Sequence, residues 1–201
     1  MPRFVQVAKL FGLGAFIGTA ADQIHVRSGV LSYPRPSALL PGQPLWVPLL
    51  FGAAGVALPL ANAAMLRATR ERPPRSTVRG LAAAVLWFFA AYASTALFQA
   101  ESRALAIALV SVWAARVALR PTPDELLAGP LFALGGALFE AGLSSTGAFQ
   151  YRAPDFLLVP AWLPALYLHV SLMTREACLA FLGRGRDGGR RADPPARTAF
   201  G

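Results

Sequence analysis

The sequence predicts an all-α integral membrane protein: a compact bundle of six transmembrane helices with both termini cytoplasmic. Three observations carry that expectation. Only 14% of the 201 residues are charged, against about 25% in soluble domains. The charges fall between six long apolar stretches, each close to the ~20 residues a helix needs to cross ~30 Å of hydrocarbon. The cations favour alternate connections, as the positive-inside rule requires.

The spans are expected at 4–24, 46–66, 79–99, 103–120, 126–148 and 156–182. The first ends in the polar run Asp22, Gln23 and His25. Residues 1–21 also have the basic start, apolar run and small-residue end of a secretory leader, whose removal leaves five spans. The second opens on Trp46 and Pro48 and carries the small residues Gly52, Ala53, Ala54, Gly55 and Ala57, which favour close helix approach in lipid. The third is bulky, with Trp87, Phe88, Phe89 and Tyr92, and is expected to wall a pocket against the fifth. Only Ala100, Glu101 and Ser102 separate it from the short fourth span, a tight hairpin. In the sixth, Asp155 follows Pro154 and is expected to cap the helix N-terminus through its carboxylate. Residues 1–182 thus form one domain. The Gly/Arg/Pro-rich stretch 183–201 reads as a disordered tail suited to anionic headgroups.

All but four of the 19 cations, which are all arginine except Lys9, belong to the side holding both termini. The exceptions are Arg27, Arg35, Arg103 and Arg152. A net charge of +9 raises nucleic acid as a partner, but the arginines sit in loops and a tail with no basic helix face. Cys178 is the single cysteine, which excludes an internal disulfide. No phosphate loop, nucleophile motif or metalloprotease helix is present.

Ionisable groups at membrane depth demand a partner or a function. Glu140 stands ~21 Å into the fifth span at 1.5 Å per residue, with Ser144 one turn on. Asp22, Gln23, Thr95 and Gln99 close the first and third spans at the same outer depth, near Tyr92. These seven residues are the candidate ligand-binding set. Two readings of Glu140 stay open: a carboxyl offered to a lipid hydroxyl, or a structural bond to another helix. Asp22, His25 and Glu140 are also the only candidates for a metal triad or an acid–base pair, and neither is expected. His169 is read as a packing residue. Arg116 is placed to snorkel or to pair with Asp124 or Glu125.

The stretch QYRAPDFLLVPAWLP (150–164) resembles the Insig family, small six-helix proteins of sterol regulation, through Tyr151, Pro154, Asp155, Phe156, Trp162 and Pro164. LWVPLLFGAAGVA (45–57), with Trp46 and Pro48, is similar to the opening of that family's second span. YASTALFQAESRALAIAL (92–109) aligns with its third-to-fourth hairpin, and DQIHVRSGVLSYP (22–34) with its first loop. The resemblance implies a six-span fold with a lipid-binding cavity. It also departs: Tyr92, Ala96 and Phe98 stand where the family has His, Lys and Asp. The family's functional loop aspartate aligns with Asp124 only across a gap, and its sterol-linked Gln falls at Ala141. Those regions recognise an escort protein and a reductase in eukaryotic relatives, which reside in the endoplasmic reticulum. The abundance of Arg, Ala, Gly and Pro points to a GC-rich bacterium, in which those partners are not expected and the plasma membrane is the location.

The expected function is therefore a non-catalytic, Insig-like protein that binds an amphipathic lipid, sterol-like or diacylglycerol-like, and needs no other cofactor. A small transporter and a lipid-modifying enzyme are the alternatives. Small-residue helix faces make a homo-oligomer plausible.

Overall fold

The computed structural model describes residues 4–71, 73–120 and 122–183. Six helices follow in order: α1 (Phe4–Ser28), α2 (Trp46–Ala68), α3 (Val78–Leu97), α4 (Ser102–Leu119), α5 (Pro123–Ser145) and α6 (Leu163–Phe181). A single 3₁₀ turn, Gln99–Glu101, joins α3 to α4. Two short strands, β1 (Leu31–Ser32) and β2 (Gln150–Tyr151), pair antiparallel with Leu31 opposite Tyr151. They tie the α1–α2 connection to the α5–α6 connection. The end of the bundle that carries them is called outer below, and the end that carries Lys9, Arg67 and Arg79 inner. Of the expected tail, 184–201 lie outside the described residues, as do Arg3 and Arg72.

Helix α6 is the axle: it packs against each of the other five. Five helices, α1 to α5 with the 3₁₀ turn counted into α4, are long and apolar enough to cross a membrane. Helix α6 carries His169, Ser171, Thr174, Arg175 and Glu176 within its 19 residues. Surrounded by protein, it does not have to be soluble in lipid, and its polar groups find partners inside the bundle. The sixth helix also starts later than expected, at Leu163 instead of 156. Residues 156–159 form a tight turn closed by bonds in both directions between Phe156 and Val159. Leu157 (φ 46°) and Leu158 (φ 65°) occupy its left-handed positions.

Asp155 therefore does not cap α6, whose N-cap is Trp162 with no side-chain bond. Its carboxylate instead accepts from the Ala161 amide at 2.7 Å and from Ser102 Oγ at 2.5 Å. That ties the start of α4 to the loop before α6. These bonds hold its pKa below the ordinary 3.8. A depressed folded-state pKa stabilises fully above 3.8 and is lost as pH falls through the lower folded value. Asp155→Asn is accordingly expected to lower the protection of the Ala161 amide against hydrogen exchange at pH 7, and the parent's protection, measured relative to the intrinsic rate at each pH, should fall toward the variant's as the Asp155 carboxylate protonates below its ordinary 3.8.

The tightest helix pair is α1–α2, and glycine makes it possible. A Cβ on Gly55 would stand 2.6 Å from the Gly14 Cα and 2.7 Å from the Leu10 carbonyl oxygen. On either side the rings interlock: Phe51 of α2 fills the notch at Gly18, and Phe11 of α1 fills the notch at Gly52. The small residues of the second span thus do what small residues do in membrane helix pairs.

At the inner end α5 and α6 share a buried ion pair. Arg175 donates to both Asp124 oxygens, Nε at 2.5 Å and Nη2 at 3.1 Å, and lies 3.7 Å from Glu125. Glu125 also accepts from Ser171 Oγ at 3.0 Å. Asp124 and Glu125 are essentially inaccessible. Arg116 pairs with neither: it donates to His169 Nδ1 at 3.4 Å and lies 5.1 Å over the Trp87 ring. Because the Leu109 carbonyl can only accept, His169 Nε2 donates to it at 3.0 Å, leaving Nδ1 free to accept from Arg116.

Candidate functional site: an intramembrane cavity

Helices α1, α2, α6 and α3 form a ring in which each packs on the next. Across the ring, α1 and α6 meet only slightly, and α2 and α3 are not packed together among the described residues. A partly open cavity of about 100 Å³ lies among these four helices. Its walls are Leu10 to Gly18 of α1, Phe51 to Pro59 of α2, Leu81 to Tyr92 of α3 and Leu166 to Ala177 of α6. The third span does wall a pocket, but against α1, α2 and α6; no α5 residue lines it. Helix α5 instead borders a second, largely apolar groove of about 490 Å³ with α4 and α6, lined by Val110, Trp113, Leu134 and Phe156 among others.

The cavity is apolar except for three side chains. Tyr92 and Tyr167 stand at its outer end and Thr174 toward its inner end. The Tyr167 hydroxyl donates to Glu140 Oε1 at 2.7 Å, and Tyr151 donates to Glu140 Oε2. Both carboxyl oxygens of Glu140 are thus engaged by tyrosines, so Glu140 acts behind Tyr167 and does not itself line the cavity. Tyr92 is buried, stacked on His25 at 4.5 Å, and its hydroxyl makes no hydrogen bond among the described residues. It is the one candidate from the sequence that faces the cavity.

The other candidates form the scaffold that surrounds this end. Asp22 accepts from Tyr33 at 2.9 Å and Gln43 Nε2 at 2.5 Å. Burial pushes the Tyr33 hydroxyl far above its ordinary pKa, so it remains a donor. Gln23 donates to the Pro41 carbonyl and Gln43 Oε1. His25 Nε2 meets Thr95 Oγ1 at 2.7 Å, while Thr95 donates to the Tyr92 carbonyl. Gln99 donates to the Ser28 carbonyl at 3.3 Å, and Ser144 to the Phe149 carbonyl at 3.2 Å. Asp22, His25 and Glu140 each serve different partners, and no group of three metal-ligating side chains occurs among the described residues.

Sequence reasoning missed Tyr167, Phe51, Met173 and Thr174 as cavity residues. Only Tyr167 left a signal: a mid-span tyrosine needs an acceptor, and Glu140 was the obvious acid at matching depth. The motif residues prove to be the seal of this end. Trp162 is almost fully buried against His25 and Tyr151. Trp46 packs edge-on to Tyr33.

The same architecture is found in the crystal structure of MvINS, a mycobacterial Insig homologue from Mycobacterium vanbaalenii. The TM-score is 0.77 over 91% of this chain and 97% of that one, at 23% identity. The fold is that of an Insig homologue. A crystal structure of a cross-linked trimer of MvINS matches equally well, with a TM-score of 0.77 and the same coverage. No protein-family model and no curated protein matches the sequence. The Insig-like fold agrees with the six spans expected from the sequence.

Proposed function

We propose that this chain is a bacterial member of the Insig family, and that it acts without catalysis by binding an amphipathic lipid in the intramembrane cavity. The observation that carries this reading is the cavity's polarity: apolar walls with two tyrosines at one end, one of them braced by a buried carboxyl. A lipid with a free hydroxyl, diacylglycerol-like or sterol-like, matches that pattern. Its head bonds to Tyr92, whose hydroxyl has no protein partner among the described residues, and its apolar part takes up the rest. Tyr33, Gln43, Asp22 and His25 keep the surrounding elements in place and serve as scaffold, not as ligand contacts.

The test is lipid extraction and native mass spectrometry of protein purified in mild detergent. One lipid class bearing a free hydroxyl is expected to co-purify. Tyr92→Phe should weaken its retention about two- to tenfold, the worth of one neutral hydrogen bond. Recovery of detergent and bulk phospholipid alone defeats the reading. Because MvINS has been crystallised as a cross-linked trimer, we also propose that this chain self-associates in the plasma membrane. Native mass spectrometry of the same sample reports the subunit number, and a monomer at all protein-to-detergent ratios argues against it.

A further inference from the structure

The tight turn between Asp155 and Val159 has residues that suit neither its shape nor water. Two-residue turns with both central positions left-handed are ordinarily filled by Asn-Gly or Asp-Gly, because a larger side chain is strained there. Here the two positions hold Leu157 (φ 46°) and Leu158 (φ 65°). With Phe156 they are also exposed, at 47%, 65% and 49% for residues 156, 157 and 158 in turn. Such strain persists only where the surroundings favour it. We propose that those surroundings are the bilayer: residues 156–158 form an interfacial anchor that plants three apolar side chains just beneath the headgroups at the outer end and moors the start of α6 there. Three observations support this.

The first is position. Phe156, Leu157 and Val159 line the groove between α4 and α5. That groove rises no higher than Ala141 on α5, which ends at Ser145, and Val110 on α4, which starts at Ser102. At 1.5 Å per residue the turn folds down the flank of the bundle by at least ~6 Å from the end of α5. Its neighbours there, Leu134 and Leu138, are exposed and apolar, the surface that a spanning helix presents to hydrocarbon. The second is the backbone. The Phe156 and Val159 amides bond within the turn at 3.2 and 2.9 Å, and the Asp155 amide bonds to the Val159 carbonyl at 3.0 Å. Of residues 155–159, only Leu157 and Leu158 have amides with no backbone bond among the described residues. Unpaired amides are excluded from hydrocarbon but are satisfied at its boundary. The tip therefore belongs in the headgroup layer with its side chains pointing below, as in other interfacial segments. The third is charge. Arg103 stands beside Asp155, is exposed, and makes no ion pair among the described residues. Asp155 commits its carboxylate to Ser102 and Ala161, which leaves Arg103 to meet a lipid phosphate at this level.

The experiment uses the full chain in vesicles of phosphatidylcholine with phosphatidylglycerol. Leu158→Cys carries an environment-sensitive fluorophore; the native Cys178, 2% exposed, stays unlabelled in the folded protein. Arg35→Cys, in the α1–α2 connection, is the aqueous reference. A lipid spin-labelled near its headgroup is expected to quench the Leu158→Cys probe strongly, and iodide to quench it several-fold less than it quenches Arg35→Cys. Leu157→Asn with Leu158→Gly supplies the pair that such turns favour, so the fold should hold and the Cys178 labelling temperature should not drop. A fluorophore on Phe156→Cys should nonetheless become roughly twofold more open to iodide in that double variant, because two buried apolar side chains are gone. Iodide quenching at Leu158→Cys equal to that at Arg35→Cys places the turn in water. Protection from both quenchers means that protein, such as a second copy of the chain, covers it. Either result overturns the anchor, as does an unchanged Phe156→Cys signal in the double variant. None of these outcomes depends on what the cavity holds.

Discussion

Asp124→Ala is expected to be among the most damaging single substitutions in this protein, at about 3–5 kcal/mol. Asp124 is fully buried and bonded twice by Arg175, itself only 7% exposed. Removing the carboxylate strands a guanidinium inside the bundle, with Glu125 Oε1 at 3.7 Å as its nearest remaining counter-charge. The cost is that of the orphaned charge, not the net worth of the pair. Two consequences separate these. Replacing both partners with apolar residues, Asp124→Leu with Arg175→Met, should recover most of the loss. Added salt should change little, because a buried pair is poorly screened. The protein carries its own reporter: Cys178 is 2% exposed and packs with Leu66 and Leu179 where α6 meets α2. The temperature at which a thiol-reactive dye labels it should drop sharply in Asp124→Ala. An unchanged labelling temperature shows that the ion pair does not clamp α5 to α6.

Gly55→Leu is the second large effect. Any Cβ at Gly55 lands 2.6 Å from the Gly14 Cα and 2.7 Å from the Leu10 carbonyl oxygen, both backbone atoms. No rotamer change relieves that overlap, so the cost is expected at or above the upper end of the ~1–3 kcal/mol usual for overpacking. Gly55→Ala should already be harmful. The relief open to the protein is for α1 to separate from α2, which dismantles one wall of the cavity, so retention of the proposed lipid should fall together with stability. Gly135 and Gly12 are the controls. A methyl group on either would meet no atom within 4 Å, and substitution by Ala should shift stability by less than ~1 kcal/mol, toward greater stability. If Gly55→Ala matches these controls, the close approach of α1 and α2 is not required.

Much of the fold was legible because lipid is an unforgiving solvent. A helix that faces hydrocarbon must be apolar along its length and must satisfy its own backbone, and helices α1 to α5 were read within about five residues at each end. The boundary of α6 was misjudged for the same reason. Phe156, Leu157 and Leu158 are apolar enough to read as helix, yet they form a tight turn at the outer surface, held by the Asp155 carboxylate. Composition cannot distinguish an apolar helix turn from an apolar hairpin when both lie at the membrane boundary.

Within the site, the sequence supplied the right polar residues but not their roles. Glu140, Asp22 and Thr95 were marked because buried polarity in a membrane needs an explanation. Whether each turns to a ligand or to a neighbour depends on rotation about its helix axis and on which helices adjoin. The pairing of Glu140 with Tyr151 and Tyr167 spans 11 and 27 residues, and that of Arg175 with Asp124 spans 51. By itself the sequence determined that there are six helices in an all-α membrane bundle and that QYRAPDFLLVPAWLP resembles the Insig family, because length, hydropathy and residue order are properties of the chain in its solvent. Only the tertiary structure decided that α6 is the axle, that the cavity lies among α1, α2, α3 and α6, and that Tyr92 alone of the candidates faces it. Those are matters of which surfaces meet, and helix packing settles them through contacts between residues far apart in the chain.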